Sequence, residues 1–327
     1  MRLIRGLINI PSDFAGCVAT IGNFDGVHLG HQKILAQLKK AAEEHQLPTV
    51  VMMFEPQPRE FFAPDQAPAR LAGLADKLDD LESHGVEYVL VLPFNEKLRS
   101  MSAQQFMQSI LADGLKVRHL IVGDDFRFGC DRSGDYQALK TFGQQLPEGL
   151  TFSVEDTPTF EIDAERVSST RVREALAYNK LDLAETLLGQ PFRISGRIGY
   201  GRQLGRTIGA PTANVILKRK KLPLTGVFAV RAAVNSKVLA ADGEAEMSFN
   251  GVANIGIKPT VAGTPEPSLE VHLFECDENL YGKRLEVIFC QKIREEKKFA
   301  GLDELKAAIA ADMAAAKNYF KNSVQAD

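Results

Sequence analysis

No C-x-x-C pair, no long apolar run and no excess of either charge occurs in these 327 residues, and each absence removes a class of protein. The four cysteines, Cys17, Cys130, Cys276 and Cys290, are too scattered for the familiar zinc spacings. A chain this long also has little use for a disulfide framework, so small buried thiols are expected. Met1-Arg-Leu-Ile-Arg5 reaches Pro11 and Asp13 without a sustained apolar core, which makes it a poor secretory signal. Nothing downstream is apolar for long enough to span a bilayer, so the expectation is a cytoplasmic protein with no membrane partner. Lysine and arginine number 39 against 42 acidic residues, a net charge of −3. That balance gives no global attraction to nucleic acid, and none is expected as a partner. Any polyanion must be met by a local site. A G-x-x-x-x-G-K-[ST] loop is also missing, which excludes a P-loop kinase. Internal repeats and low-complexity tracts are missing too.

What is present is a soluble composition, 45% hydrophobic and 25% charged, long enough for two domains. The two halves follow different patterns. Apolar runs at Val18–Ile21, Thr49–Phe54, Tyr88–Leu92, His119–Val122 and Thr151–Val154 alternate with helical periodicity near Ile34–His45, Leu71–Ser83, Ala103–Ala112 and Asp135–Gln144. This order predicts an α/β domain, a mostly parallel sheet covered by helices on both faces. A last helix, Ser169–Leu188, is expected to stop at Gly189-Gln-Pro191. Strands then take over at Gly226–Val234, Met247–Ile255, Leu269–Phe274 and Leu285–Arg294, followed by an alanine-rich helix over Leu302–Phe320. A small β-barrel with a C-terminal helix is predicted, and the boundary is placed to give domains 1–186 and 187–327. The basic run Lys218-Arg-Lys-Lys221 is read as a solvated loop.

The densest chemical signal is Gly22-Asn-Phe-Asp-Gly-Val-His-Leu-Gly-His31, between the first apolar run and the first helix. His28 and His31 lie three apart at a predicted helix N-terminus, where free N–H groups and the helix dipole favour anions. The glycines, Gly22 and Gly30 among them, let phosphate approach the backbone. Phe24 and Asp25 count with them as binding positions. The stretch reads as a nucleotidyltransferase site, in which donors meet the charge that develops on a phosphorus under attack. Polyphosphate would bias the histidines toward their protonated form.

Val167-Ser-Ser-Thr-Arg-Val-Arg173 adds Ser168, Ser169, Thr170 and Arg173, suited to a triphosphate or, taken alone, to an ordinary N-cap. Gly123–Gly129 offers Asp125, Phe126 and Arg127 at another strand end. Its aromatics would either stack on a flat ring or anchor the loop to the core.

In the second half, Gly199-Tyr-Gly-Arg-Gln-Leu-Gly205 spoils a dinucleotide fingerprint and leads to a proline instead of a helix. Its Gly201, Arg202 and Gly205, with Pro211 just beyond, form a loop able to cradle phosphates. Thr212 and Asn214 offer hard oxygen ligands for Mg²⁺. Glu270 is either a general base for an alcohol or an outward-facing strand residue. His272, His45, His84 and His119 are read as structural or peripheral.

Together these segments resemble the bacterial bifunctional riboflavin kinase/FAD synthetases, in order and over essentially the whole chain. Gly22–His31, Gly123–Gly129 and Val167–Arg173 resemble the FMN adenylyltransferase module. Gly201–Asn214, Gly226-Val-Phe228, Asn254–Thr260 and Leu269–Phe274 resemble the kinase module. The resemblance implies a Rossmann-like nucleotidyltransferase fold followed by a six-stranded barrel. It implies conversion of riboflavin and ATP to FMN and ADP, then of FMN and ATP to FAD and pyrophosphate, with Mg²⁺. It also implies transition-state stabilisation by His28 and His31, phosphate binding by Ser168, Ser169, Thr170 and Arg173, Mg²⁺ at Thr212 and Asn214, and Glu270 as base. The chain departs from the family pattern at Gln57, where His is common, at Ala210, where an aromatic is common, and at Phe228 and Lys258. Alternatives are an adenylyltransferase with an inactive barrel, a non-catalytic flavin sensor, and an RNA-binding barrel on a nucleotidyltransferase. The intact candidate residues argue against the first two, and the absence of an aromatic-basic stripe against the third.

Overall fold

A computed structural model describes residues 1–123, 125–130, 132–200, 211–234, 247–259 and 265–323. They form two compact units, Met1–Pro68 with Lys77–Val167, and Ala69–Asp76 with Ser168–Asp327.

The first unit is built on strands β1 (Arg2–Arg5), β2 (Cys17–Ile21), β3 (Thr49–Glu55), β4 (Tyr88–Pro93), β5 (Val117–Gly123) and β6 (Ser153–Thr157). These six pair in parallel in the order β1-β4-β3-β2-β5-β6, and β7 (Glu161–Ile162) and β8 (Glu165–Arg166) form a separate antiparallel pair. All of β2 is buried, as are the first five residues of β3, which is why these strands read as unbroken apolar runs. Helices α1 (Leu29–His45), α2 (Pro58–Phe62), α3 (Leu74–Ser83), α4 (Glu96–Arg99), α5 (Ala103–Phe106) and α6 (Tyr136–Gln145) connect them. From β2 the chain moves outward through β3 and β4 on one side, then through β5 and β6 on the other. The carboxyl end of β2 is therefore the switch point of the sheet, the position at which open α/β sheets generally bind ligands.

Several elements differ from the sequence expectation. β1 is charged at both ends with only Ile4 buried, too little apolar pattern to read. Residues Met107–Ala112 widen into a π-helix that buries Met107, Ile110, Leu111 and Ala112 together. The helix expected over Ser169–Leu188 is two, α7 (Ser169–Ala177) and α8 (Leu181–Leu188). Asn179 takes a left-handed φ of 57° between them, and the Lys180 N–H closes α7 on the Ala175 carbonyl at 2.8 Å.

In the second unit, β9 (Arg193–Gly199), β10 (Ala213–Val215), β11 (Gly226–Val234), β12 (Ser248–Pro259), β13 (Pro265–Leu273) and β14 (Arg284–Arg294) close into an antiparallel barrel ordered β10-β13-β12-β11-β14-β9. Helix α9 (Leu302–Ser323) lays Ala316 and Phe320 against Val227, Ala229 and Val252. Asp312 of α9, itself buried, receives Nε and Nη2 of Arg294 at 2.8 and 2.7 Å.

The basic run at 218–221 is not wholly solvated. The Arg219 side chain is buried, 3.7 Å from Asp76 and donating to the Arg70 carbonyl at 3.2 Å. Asp76 also accepts from Arg284 at 2.8 Å and from the Ser195 hydroxyl, and its other oxygen accepts from the Gly73 N–H at 3.0 Å. This hub ties Ala69–Asp76 to the barrel unit. All four cysteines are free, but only Cys17 is buried; Cys130 is exposed and Cys276 and Cys290 are half-buried. Burial pushes the thiols of Cys17 and Cys290 above their ordinary range.

Replacing Asp312 by Ala removes two charge-assisted bonds and should cost the barrel about 2 kcal/mol. A urea titration followed by far-ultraviolet circular dichroism would measure this, and an unchanged midpoint would show that the clasp contributes nothing.

Candidate functional site

At the switch point, the last residue of β2 is followed by Gly22 and the turn that carries the histidines. His28 is the N-cap of α1, and its Nδ1 accepts the His31 N–H at 3.3 Å. In a neutral ring that acceptor role leaves the proton on Nε2, which is then a donor. The three-residue spacing stacks the two imidazoles face to face, with centroids 3.7 Å apart and planes 19° from parallel. A β-carbon at Gly30 would lie 3.2 Å from the His28 ring, so this glycine leaves room for the stack. Phe24 is buried behind it, its ring 4.9 Å from that of His31. Asp25 is buried too, with its carboxylate 3.8 Å from the Lys77 ammonium.

Desolvation first, then the neighbouring His28 and Lys77, hold His31 well below the ordinary imidazole pKa. His31 is therefore neutral at pH 7 in these surroundings, and the bias toward protonation expected from the sequence is that of a histidine facing polyphosphate. His31 Nδ1 is shielded from water and has no hydrogen-bond partner. Gln57 Nε2, just past β3, and Thr157 Oγ1, the last residue of β6, are buried and unpartnered as well. Buried polar atoms are normally paired, so three orphans at the carboxyl edge of one sheet mark a surface made for a polar guest. Gln57 N-caps α2 in a capping box with Glu60.

Two features of this edge escaped the sequence. One is Lys77. The other is an aromatic cluster in which Phe62 lies 5.6 Å from both Phe61 and Phe94, and Phe94 5.9 Å from Phe54. Phe62 is 60% exposed, unusual for so large an apolar ring. The adjacent pair Phe61-Phe62 was the available signal for the cluster; Lys77 had none, being one charge in an amphipathic helix.

In the loop after β5, Phe128 is buried against Phe106 with centroids 5.2 Å apart, and Phe126 stacks on Phe128 at 5.4 Å. These rings anchor the loop. Arg127 is exposed, and Asp125 pairs with Arg166 at 3.0 Å. His119 bonds Ser153 and Glu155 at 2.7 and 3.2 Å, and His84 bonds the Asp80 carbonyl at 2.7 Å, both away from this edge.

Ser168–Arg173 group with the second unit. Ser168 is the N-cap of α7, accepting the Arg171 N–H at 3.2 Å. Thr170 is exposed and Ser169 half-buried, while Arg173 Nε donates to the Ala69 carbonyl at 2.6 Å.

On the barrel, Asn214 of β10, Glu270 of β13 and Asn254 of β12 stand opposite one another in register. Ala253, Ile255, Leu269 and Val271 fill the interior, so the pleat turns the Asn214–Glu270–Asn254 row outward. The row is only half-exposed. Glu270 is ion-paired with Lys258, which lies on the same face of β12. His272 Nδ1 donates to the Pro211 carbonyl at 2.8 Å and fixes the start of the Pro-Thr-Ala-Asn run. Thr212 follows, half-buried. Gly201, Arg202 and Gly205 lie outside the described residues.

Known proteins share this organisation. The FAD synthetase family profile matches residues 10–171, and the riboflavin kinase profile matches residues 188–320. A bifunctional riboflavin kinase/FMN adenylyltransferase of Pseudomonas fluorescens is 55% identical, covering 97% of each chain. Its namesake from Escherichia coli strain K12 is 49% identical over 98% of each, and that of Haemophilus influenzae 47% identical over 98% of this chain and all of its own. A solved Streptococcus pneumoniae structure, described as a macrolide-efflux protein, superposes with a TM-score of 0.76 at 28% identity, covering 97% of this chain and 99% of the other. No described helix here is long and apolar enough to cross a membrane. Aligned end to end with relatives that carry both modules in the same order, the chain belongs to the bifunctional riboflavin kinase/FMN adenylyltransferase family.

Proposed function

We propose that this chain makes FAD from riboflavin in two ATP-dependent steps, phosphorylation on the barrel and adenylyl transfer at the carboxyl edge of the parallel sheet. Residues 1–186 are assigned to adenylyl transfer, 187–327 to phosphorylation, and the site of action to the cytoplasm. The observation that carries the first assignment is the set of unpartnered buried atoms, His31 Nδ1, Gln57 Nε2 and Thr157 Oγ1, on the carboxyl edge of the sheet that also bears the His28–His31 stack.

In adenylyl transfer a phosphate oxygen of FMN forms a bond to the α-phosphorus of ATP while the bond to the pyrophosphate oxygen breaks. Charge grows on the α-phosphate and leaving oxygens. His28 and His31 offer it hydrogen bonds from a rigid stack at a helix N-terminus, donors that need no reorganisation as the reaction proceeds. Exposed Phe62 offers a face for the flavin ring. Ser168, Ser169, Thr170 and Arg173 are assigned to the nucleotide phosphates, and Gly22, Phe24, Asp25, Gly30, Asp125, Phe126 and Arg127 to binding positions of the sheet unit.

In phosphorylation the terminal ribityl hydroxyl oxygen bonds to the γ-phosphorus of ATP, ADP leaves, and Glu270 accepts the hydroxyl proton. The hydroxyl of Thr212 and the side-chain carbonyl of Asn214 are hard oxygen donors, the kind Mg²⁺ takes beside phosphate and water. Bound there, the ion would neutralise phosphate charge. Gly201, Arg202, Gly205 and Pro211 are assigned to the phosphate-binding loop.

His28→Ala should lower FAD formation from FMN by roughly 10²–10³-fold and leave FMN formation intact. Glu270→Ala should lower FMN formation by roughly 10²–10⁴-fold and spare FAD formation when FMN is supplied. Chelation of Mg²⁺ with EDTA should stop FMN formation, and added Mg²⁺ should restore it. Chromatography of flavins from timed reactions reads all three. Wild-type protein given riboflavin should show FMN first and FAD later. FAD from added FMN alone would instead mean an inactive barrel, and tight flavin binding without turnover a sensor.

A further inference from the structure

Between β2 and α1 the backbone turns through conformations that side chains resist. Phe24, Gly26 and Val27 have φ of 45°, 88° and 39°. For Val27, branched at Cβ, the left-handed region is a strong steric outlier, and such outliers persist only where the surroundings over-determine them.

Three contacts supply that determination. The Lys77 ammonium donates to the Asn23 carbonyl at 3.0 Å and lies 3.8 Å from the Asp25 carboxylate. Gln32 Nε2 donates to the Val27 carbonyl at 3.0 Å. The lysine contact is the costly one. Both Lys77 and Asp25 side chains are only 3% exposed, and burying an ammonium is unfavourable unless partners compensate it. Lys77 also stands in the first turn of α3, where the helix dipole repels a cation. Neither helix preference nor solvation puts a charge there, whereas the turn beside it supplies both an anion and a carbonyl. What the turn holds is the chemistry: Phe24 packs behind His31, and His31 on His28.

We propose that Lys77 is a positioning residue of the adenylyl-transfer site, the buried cation that clamps the Asn23–Val27 turn and so aims His28 and His31. The inference rests on the reading of those histidines as the transfer machinery. Lys77 acts through Asp25 and the turn, and its charge is the part that matters.

The test is steady-state FAD formation from FMN by full-length Lys77→Met, Lys77→Arg, Asp25→Asn and the Lys77→Met/Asp25→Asn double variant. FMN formation by the same proteins and their melting curves report folding. A misaimed pair of donors should lower kcat by roughly 10²-fold while KM for FMN and ATP stays within about threefold. Lys77→Arg, which keeps the charge, should recover at least about a tenth of the wild-type kcat on this account. The double variant should be no slower than Lys77→Met, because both substitutions release the same clamp. If Lys77→Met proves too unstable, hydrogen exchange on Asp25→Asn should show the amides of residues 23–27 exchanging faster than in the wild type. A well-folded Lys77→Met with wild-type kcat, multiplicative losses in the double variant, or unaltered exchange in the turn would each overturn the proposal. His28→Ala separates the two readings: if it abolishes FAD formation while Lys77→Met does not, only the clamp is wrong. If His28→Ala is active too, the site assignment itself falls.

Discussion

The left-handed turn from Gly22 to His28 is the constraint on which the chemistry proposed for the sheet unit depends. β2 ends at the switch point, and α1 must begin with two imidazoles stacked at its first turn. The turn reconciles those demands by accepting unfavourable φ values at Phe24 and Val27. Burial of Phe24, the Gln32 bond to Val27 and the Lys77–Asp25 pair then hold it. The unfavourable φ values and the unpartnered polar atoms lie at the same edge of the sheet.

The barrel reaches a comparable end by different means. The chemistry proposed for it lies on a regular outward row, Asn214–Glu270–Asn254, placed by pairing register alone. The supporting contacts are peripheral: His272 tethers Pro211, Lys258 pairs with Glu270, and the Arg294–Asp312 clasp keeps α9 against the wall.

Much of this was readable in the chain. The parallel strands were legible because burial on both faces leaves unbroken apolar runs, and Gly22–His31 because its glycines and histidines have little other reason to cluster. The role proposed for Glu270 was suggested only through resemblance, since an outward strand glutamate looks ordinary in isolation. Other features depend on tertiary partners that no local pattern records. Lys77 reads as a surface residue until the turn is placed beside it. Arg219 sits in a basic run that looks solvated until Asp76 meets it. The break at Asn179 was hidden because the flanking segments are each good helices, and one left-handed residue suffices to divide them.

The two units also differ in how their sheets end. Closure leaves the barrel with no free edge, but the parallel sheet has two, β1 and β6. β1 is short and carries Arg2 and Arg5 at its ends, while β6 carries Glu155 and Asp156. A second copy approaching either edge with the matching strand meets its own charge, and ladder growth is discouraged where unpaired backbone would otherwise invite it. Pairing of like edges is thus opposed by the two least conspicuous strands of the fold.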